Sequence, residues 1–161
     1  MEKGTYVVHW SGKVCRLDDI SVLDFTGTKR EYLILSPVRD SAEKIYVPVE
    51  KQKEVLRPVL SKQEAEALIA KVKDIEPLPI KDEKQRAQEY KTAFYSQNYV
   101  NLVKIAKDLY QRREERSRIG KALPSKDAQM MAMVEKTFEE EMAIALGIEK
   151  TEVRKLLESA Q

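Results

Sequence analysis

A proline inside an alternating apolar run constrains this chain more than any other feature. Between Lys44 and Val59 the sequence reads KIYVPVEKQKEVLRPV. Ile45, Val47 and Val49 alternate with Tyr46, Pro48 and Glu50, the period of a strand with one buried face. Pro48 supplies no backbone N–H, so a strand here lies at a sheet edge or stops at that point. Upstream lie short strand-like segments, and downstream the pattern turns helical. The chain therefore parses into a small β domain, residues 1–58, and a helical domain, residues 59–161.

In the β domain, Thr5 to Trp10 reads as a first strand, set off by Gly4 and the Ser11-Gly12 turn. Lys13 to Ile20 is a second, with Ser21 to Phe25 as an extension or bulge. Thr26-Gly27-Thr28 is a hairpin connection into Arg30–Leu35, a nearly continuous apolar strand and the one expected to be most buried. With the Lys44 strand this makes four or five short strands with hairpin links, the pattern of a small antiparallel barrel, SH3-like or Tudor-like. The predicted class is α+β: that barrel, then a compact all-helical domain of about five helices. Ser61 with Glu64 predicts a capping box opening the first of these helices, with Leu68, Ile69 and Val72 on its apolar side. Pro77 and Pro79 end it. A second helix is expected from about Lys81 to Tyr95, burying Tyr90 and Phe94. A third runs from Tyr99 to Arg118, with Val103, Ala106, Leu109 and Tyr110 as its buried stripe. A fourth, capped by Ser125, covers Lys126–Leu146 and buries Met130, Val134, Phe138 and Met142, with Gly147 as its stop. A last helix, Glu152–Ser159, is expected to bury Val153, Leu156 and Leu157.

Several chemistries are hard to build from this composition. His9 is the sole imidazole and Cys15 the sole thiol, so an intrachain disulfide and a Cys-based zinc shell are excluded. A Ser–His or Cys–His nucleophile would have to use His9, which reads as a surface or half-buried strand residue; Cys15 reads as a small core residue. No phosphate-binding glycine loop occurs. The run Glu139-Glu140-Glu141 reads as a solvated helix face. No enzymatic activity, metal or cofactor is expected. There is no apolar run of about 18 residues, and Met1 is followed by Glu2 and Lys3, which predicts neither a membrane span nor a secretory leader and a cytoplasmic location.

Charge is uneven along a chain whose net value is only +2. Residues 81–121 carry eleven basic against six acidic side chains, while 122–161 carry five against eight. Lysines and arginines at helical spacing, among them Lys84, Arg86, Lys91, Arg112, Arg113 and Arg116, suit phosphate contacts. The edge strand is the second candidate surface, since it offers unpaired N–H and C=O groups to a partner strand, with Arg30 and Tyr46 flanking the contact.

These pieces together resemble the CarD/CdnL family of bacterial RNA polymerase-binding transcription regulators. The similarity is carried by GTYVVHWSGKVCRLDDI at Gly4–Ile20, EYLIL at Glu31–Leu35, YVPVE at Tyr46–Glu50 and LRPVLSKQEAEALI at Leu56–Ile69. It continues through DEKQRAQEYK at Asp82–Lys91, KDLYQRREER at Lys107–Arg116 and MAIALGIEKTEV at Met142–Val153. The resemblance implies a Tudor-like domain that docks on the polymerase β subunit by strand-on-strand pairing. It also implies a helical domain that contacts promoter DNA at the upstream edge of the transcription bubble and modulates open-complex stability. Carried over by position, the polymerase contacts are Arg30, Lys44, Tyr46, Val47 and Pro48, with Tyr46 facing the partner if Ile45 and Val47 face in. The DNA contacts are Lys84, Arg86, Lys91, Arg112, Arg113 and Arg116. Two departures stand out. Arg86 falls where many members place a tryptophan wedge, and His9-Trp10 replaces a frequent Tyr-Pro. A monomer is expected, with a strand-swapped dimer conceivable. The alternative reading is a protein-interaction module that binds polymerase or another partner without touching DNA.

Overall fold

The computed structural model describes residues 1–160, with side chains through Leu156. It divides into two compact units, Met1–Val59 and Leu60–Gln161.

The first unit is a five-stranded antiparallel sheet, barrel-like as expected, in the order β4-β3-β2-β1-β5. Its strands are β1 (Tyr6–His9), β2 (Val14–Asp24), β3 (Lys29–Pro37), β4 (Ile45–Pro48) and β5 (Leu56–Pro58). A 3-10 turn at Val49–Lys51 and a one-turn helix, α1 (Gln52–Val55), join β4 to β5. Val7, Cys15, Leu17, Leu33, Leu35, Val47 and Leu56 pack into one core. The extension of β2 through Ser21 is present, and the bulge sits earlier, where the β2–β3 register shifts between Leu17 and Asp19. Beyond that bulge Ile20 and Val22 leave the core and are exposed. Gly27 turns the hairpin at φ 83°, a conformation that a side chain resists. β4 pairs with β3 through Ile45↔Leu35, Tyr46↔Ile34, Val47↔Leu33 and Pro48↔Tyr32. β3 is its one neighbour among the described strands, so β4 closes the sheet as an edge.

The second unit contains α2 (Lys62–Lys71), α3 (Arg86–Tyr95), α4 (Tyr99–Arg118), α5 (Ser125–Leu146) and α6 (Lys150–Ala160). The capping box forms: Glu64 N–H donates to Ser61 Oγ at 3.0 Å, and Ser61 N–H donates to Glu64 Oε1 at 3.0 Å. The Pro77–Pro79 connector is pinned along α4, where Leu78 N–H donates to the Lys104 carbonyl at 3.0 Å and Lys107 Nζ to the Ile75 carbonyl at 2.5 Å. The core gathers Leu68, Val72, Tyr90, Phe94, Leu102, Ile105, Leu109, Met130, Val134, Phe138, Met142 and Val153. Gly147 ends α5 in the left-handed conformation, φ 68°.

Four expectations need correction. The second helix starts at Arg86, not near Lys81, because Asp82 takes the Lys84 amide and bends residues 83–85 into a 3-10 turn. Ser125 is the first residue of α5 instead of its cap; Pro124 precedes it in an extended conformation that suits a helix entrance. Leu156 is 38 % exposed, because α6 meets the bundle through Val153; Leu157 lies outside the described side chains. Glu139, Glu140 and Glu141 are all buried, at 8, 1 and 1 % exposure. A buried carboxylate is retained only where a donor or cation meets it, and each here is met separately. Glu141 Oε2 accepts from the Leu60 N–H at 3.0 Å, ahead of α2. Glu139 accepts from Arg154 Nε and Nη2 at 2.6 and 3.0 Å. Glu140 lies 3.9 Å from Lys150 Nζ.

Candidate functional site

On the edge strand, alternation comes out as the sequence predicts: Val47 is buried at 3 % exposure while Tyr46 is 45 % exposed. Val47, opposite Leu33 of β3, belongs to the core of the first unit. Lys44 Nζ donates to Asp18 Oδ2 at 2.9 Å and to Ser36 Oγ at 2.7 Å. The Ser36 hydroxyl, and after it Lys44, hold the Asp18 carboxyl below the usual aspartate range. Arg30 pairs with Glu50, both partly exposed. Pro48 is half-buried at the end of the strand.

Sequence reasoning missed Phe25. It sits at the tip of the β2–β3 hairpin, 58 % exposed. Its ring meets Tyr46 edge-on at 5.2 Å between centroids and Tyr32 at 5.1 Å. An aromatic next to a hairpin glycine was the available signal, because nothing at a hairpin tip buries it. Phe25 and Tyr46 form an exposed apolar patch, flanked by the Arg30–Glu50 and Lys44–Asp18 ion pairs. Partner-binding patches favour this composition.

The helical candidates fall into three situations. Lys84 and Lys91 are exposed and carry no ion pair among the described residues. Arg86 and Arg112 are built into a chain of internal contacts. Arg86 Nη1 donates to Asp108 Oδ2 at 2.6 Å and to Tyr90 Oη at 2.5 Å, and Tyr90 Oη donates to the same Asp108 oxygen at 2.5 Å. Arg86 also forks onto Glu83, through Nε at 3.0 Å and Nη2 at 2.5 Å. Arg112 continues the chain, with Nη1 to Glu83 Oε2 at 3.3 Å and Nε to Asp127 Oδ2 at 2.8 Å. The Arg86 side chain is 13 % exposed and Asp108 17 %. The Glu83 carboxylate, then Tyr90 and Asp108, push the Arg86 pKa further up. Burial and the Asp108 acceptor raise that of Tyr90. The charge of both arginines is thus already matched within the unit. In the third situation, Arg113 stacks over the Tyr110 ring at 5.1 Å, and Arg116 Nε donates to the Ala122 carbonyl at 2.6 Å, tying down the loop after α4.

A groove of about 970 Å³ runs beside α4 and α5, lined by Tyr110, Arg113, Glu135, Phe138, Glu139 and Arg154 among others. It mixes both signs: Tyr110 Oη donates to the Glu135 carboxylate at 3.4 Å, Arg154 holds Glu139, and Arg113 lies over the Tyr110 ring. Its rim therefore presents no field of one sign. Among the described residues no three potential metal ligands converge. No helix among them is long and apolar enough to cross a membrane. His9, half-buried in β1, lies with Nδ1 2.7 Å from Ser11 Oγ; burial, then Lys13, lowers its pKa.

No curated protein matches the chain. Residues 1–60 match the family model of the CarD-like/TRCF RID domain.

Proposed function

With its first unit a CarD-like, RNA polymerase-interacting domain, we propose that this protein is a non-enzymatic cytoplasmic regulator of transcription. It docks on the polymerase β subunit through β4 and contacts promoter DNA weakly through its helical unit, modulating open-complex stability. The observation that carries the reading is an edge strand, β4, inside the matched residues, with the exposed rings of Phe25 and Tyr46 beside it.

The physics of that edge is specific. A proline at an edge costs least where its missing N–H would have faced outward. N–H and C=O groups alternate sides along a strand, so on that parity Tyr46 turns both of its own to the open side. A partner strand then gains main-chain hydrogen bonds at Tyr46 and side-chain contact with Phe25 and Tyr46. Docking raises the effective concentration of the helical unit at the promoter, so modest phosphate attraction suffices there. Lys84 and Lys91 are best suited to supply it, followed by Arg113 and Arg116.

Capture of the polymerase β subunit by the full chain tests the docking half. Tyr46→Pro removes the outward N–H and is expected to abolish capture with the urea midpoint unchanged. Full capture by that folded variant would sink the edge-strand reading. The second reading, a polymerase-binding module that never touches DNA, is favoured by the internal pairing of Arg86 and Arg112. DNA retention across a salt titration separates the two, since phosphate contacts impose a steep salt dependence.

A further inference from the structure

α3 buries Tyr90, Ala93 and Phe94 and turns Gln88, Lys91, Thr92 and Tyr95 outward, with Lys84 exposed just before the helix. Positions 88, 91 or 92 and 95 lie one turn apart, so they form a single ridge. The ridge has no acidic residue. Its two lysines carry no ion pair among the described residues, whereas Arg86, at the start of the same helix, is fully engaged with acids.

Tyr95 is what sets this ridge apart from other lysine-bearing surfaces. It is 40 % exposed, and among the described residues of the second unit it is the one aromatic ring of the large apolar side chains found exposed, beside Ile119 and Leu156. The ring is held edge-on against Phe94, with centroids 5.3 Å apart and planes at 83°. It is thereby oriented in advance, and little ordering is needed on binding. Lys91, one turn back, stands about 5–6 Å from it between Cβ atoms.

We infer that this ridge binds unpaired nucleotides, a base stacking on Tyr95 while Lys91 and Lys84 hold the phosphates. The chemistry selects single-stranded DNA over duplex. Bases inside a helix have both faces covered by their neighbours, and only an unstacked base offers a π-face to a side chain. The inference rests on the DNA half of the function proposed above and gives it a substrate, the separated strand.

Fluorescence anisotropy of the full chain tests it with a labelled single-stranded oligonucleotide and a blunt duplex of the same sequence. Tyr95→Ala is expected to weaken single-strand binding about tenfold, the loss of one stacked base, and to leave duplex binding unchanged. Tyr95→Phe keeps the ring and should keep the affinity. Lys91→Gln should weaken both and lower the single-strand salt slope by about 0.7. An unchanged urea midpoint for each variant secures the comparison. If Tyr95→Ala is silent while Lys91→Gln weakens both probes, the stacking claim is overturned and the DNA half of the proposed function stands. If the wild-type chain binds neither probe, both fall, and polymerase capture remains as the separate test of docking.

Discussion

Phe25, Val22 and Tyr46 stand 58, 63 and 45 % exposed in the first unit, while Glu140 and Glu141 in the second are 1 % exposed. These are not isolated cases. Among the described residues, eight of the eleven large apolar side chains found exposed belong to the first 59 residues, and the buried carboxylates, Asp127 and Glu139 to Glu141, belong to the rest. A unit that leaves apolar side chains and a strand edge exposed forgoes stability that burial against a partner would supply. A unit that pulls charges inside commits those charges to itself, because a buried ion without its partner is costly. The first unit thus leaves exposed the surface that the proposed docking would cover. The second ties its buried carboxylates and, with them, Arg86, Arg112 and Arg154 into itself, and leaves exposed lysines such as Lys84 and Lys91 outside that wiring.

The comparison breaks most sharply at Arg86. If it is an internal tie, Arg86→Leu leaves the Asp108 carboxylate with the Tyr90 hydroxyl but without its cation, and the second unit should lose about 3 kcal/mol in urea unfolding. Lys84→Gln, two residues away and exposed, should stay within about 0.5 kcal/mol. Equal, small effects from both would make Arg86 a surface residue after all and return its charge to the DNA contact.

Glu141 is a smaller probe of the same wiring. Its carboxylate takes the Leu60 N–H in a buried contact, and hydrogen bonds to charged groups contribute roughly 1.5–3 kcal/mol. Glu141→Ala should therefore cost about 2 kcal/mol in the urea unfolding of the second unit. An outward replacement of comparable size, Glu66→Ala on exposed α2 surface, should be close to neutral. A silent Glu141→Ala would mean that the amide finds another acceptor and that the triple glutamate is not a structural device.

Much of this architecture is legible in the sequence where local rules act alone. The Ser61–Glu64 box, the Gly147 stop and the in–out alternation around Val47 follow from residue type and spacing, and each forms. Burial of charge is not legible in that way. Glu139, Glu140 and Glu141 point in three directions around α5, so on a helical wheel they read as solvated. They become interior only because α2 and α6 close over that helix, and nothing local to α5 announces it. Arg86 and Arg112 mislead for the same reason: their acids, Asp108 and Asp127, are 22 and 15 residues away in sequence. At the candidate edge, strand and proline were readable, but Phe25 was not, because its contact with Tyr46 depends on how far the β2–β3 hairpin overhangs β4.

The two units also carry different titrating groups, a tyrosine raised in the second and a histidine lowered in the first. In the second unit, burial and then the neighbouring Glu135 charge push the Tyr110 hydroxyl up to about 12. Below the ordinary tyrosine value of 10.0 both folded and unfolded chains keep that proton, and stability does not depend on it. Above 10.0 the unfolded chain releases it while the folded protein holds it, so the helical unit should lose stability progressively up to about pH 12. In the first unit, burial and then Lys13 hold His9 below 6.5. The unfolded chain takes up a proton that the folded one refuses, so the sheet should weaken as pH falls below 6.5. Trp10, the one tryptophan, lies in the first unit and reports its unfolding by fluorescence, while far-UV dichroism follows the helices. Tyr110→Phe should shallow the alkaline slope in the dichroism signal alone, leaving the remainder to Tyr90, whose pKa is raised as well. His9→Gln should shallow the acid slope in the tryptophan signal alone, leaving the remainder to Asp18, whose carboxyl is held below the usual range. If either substitution moves both signals, the two units do not respond to pH separately, and the division of labour drawn between them is too sharp.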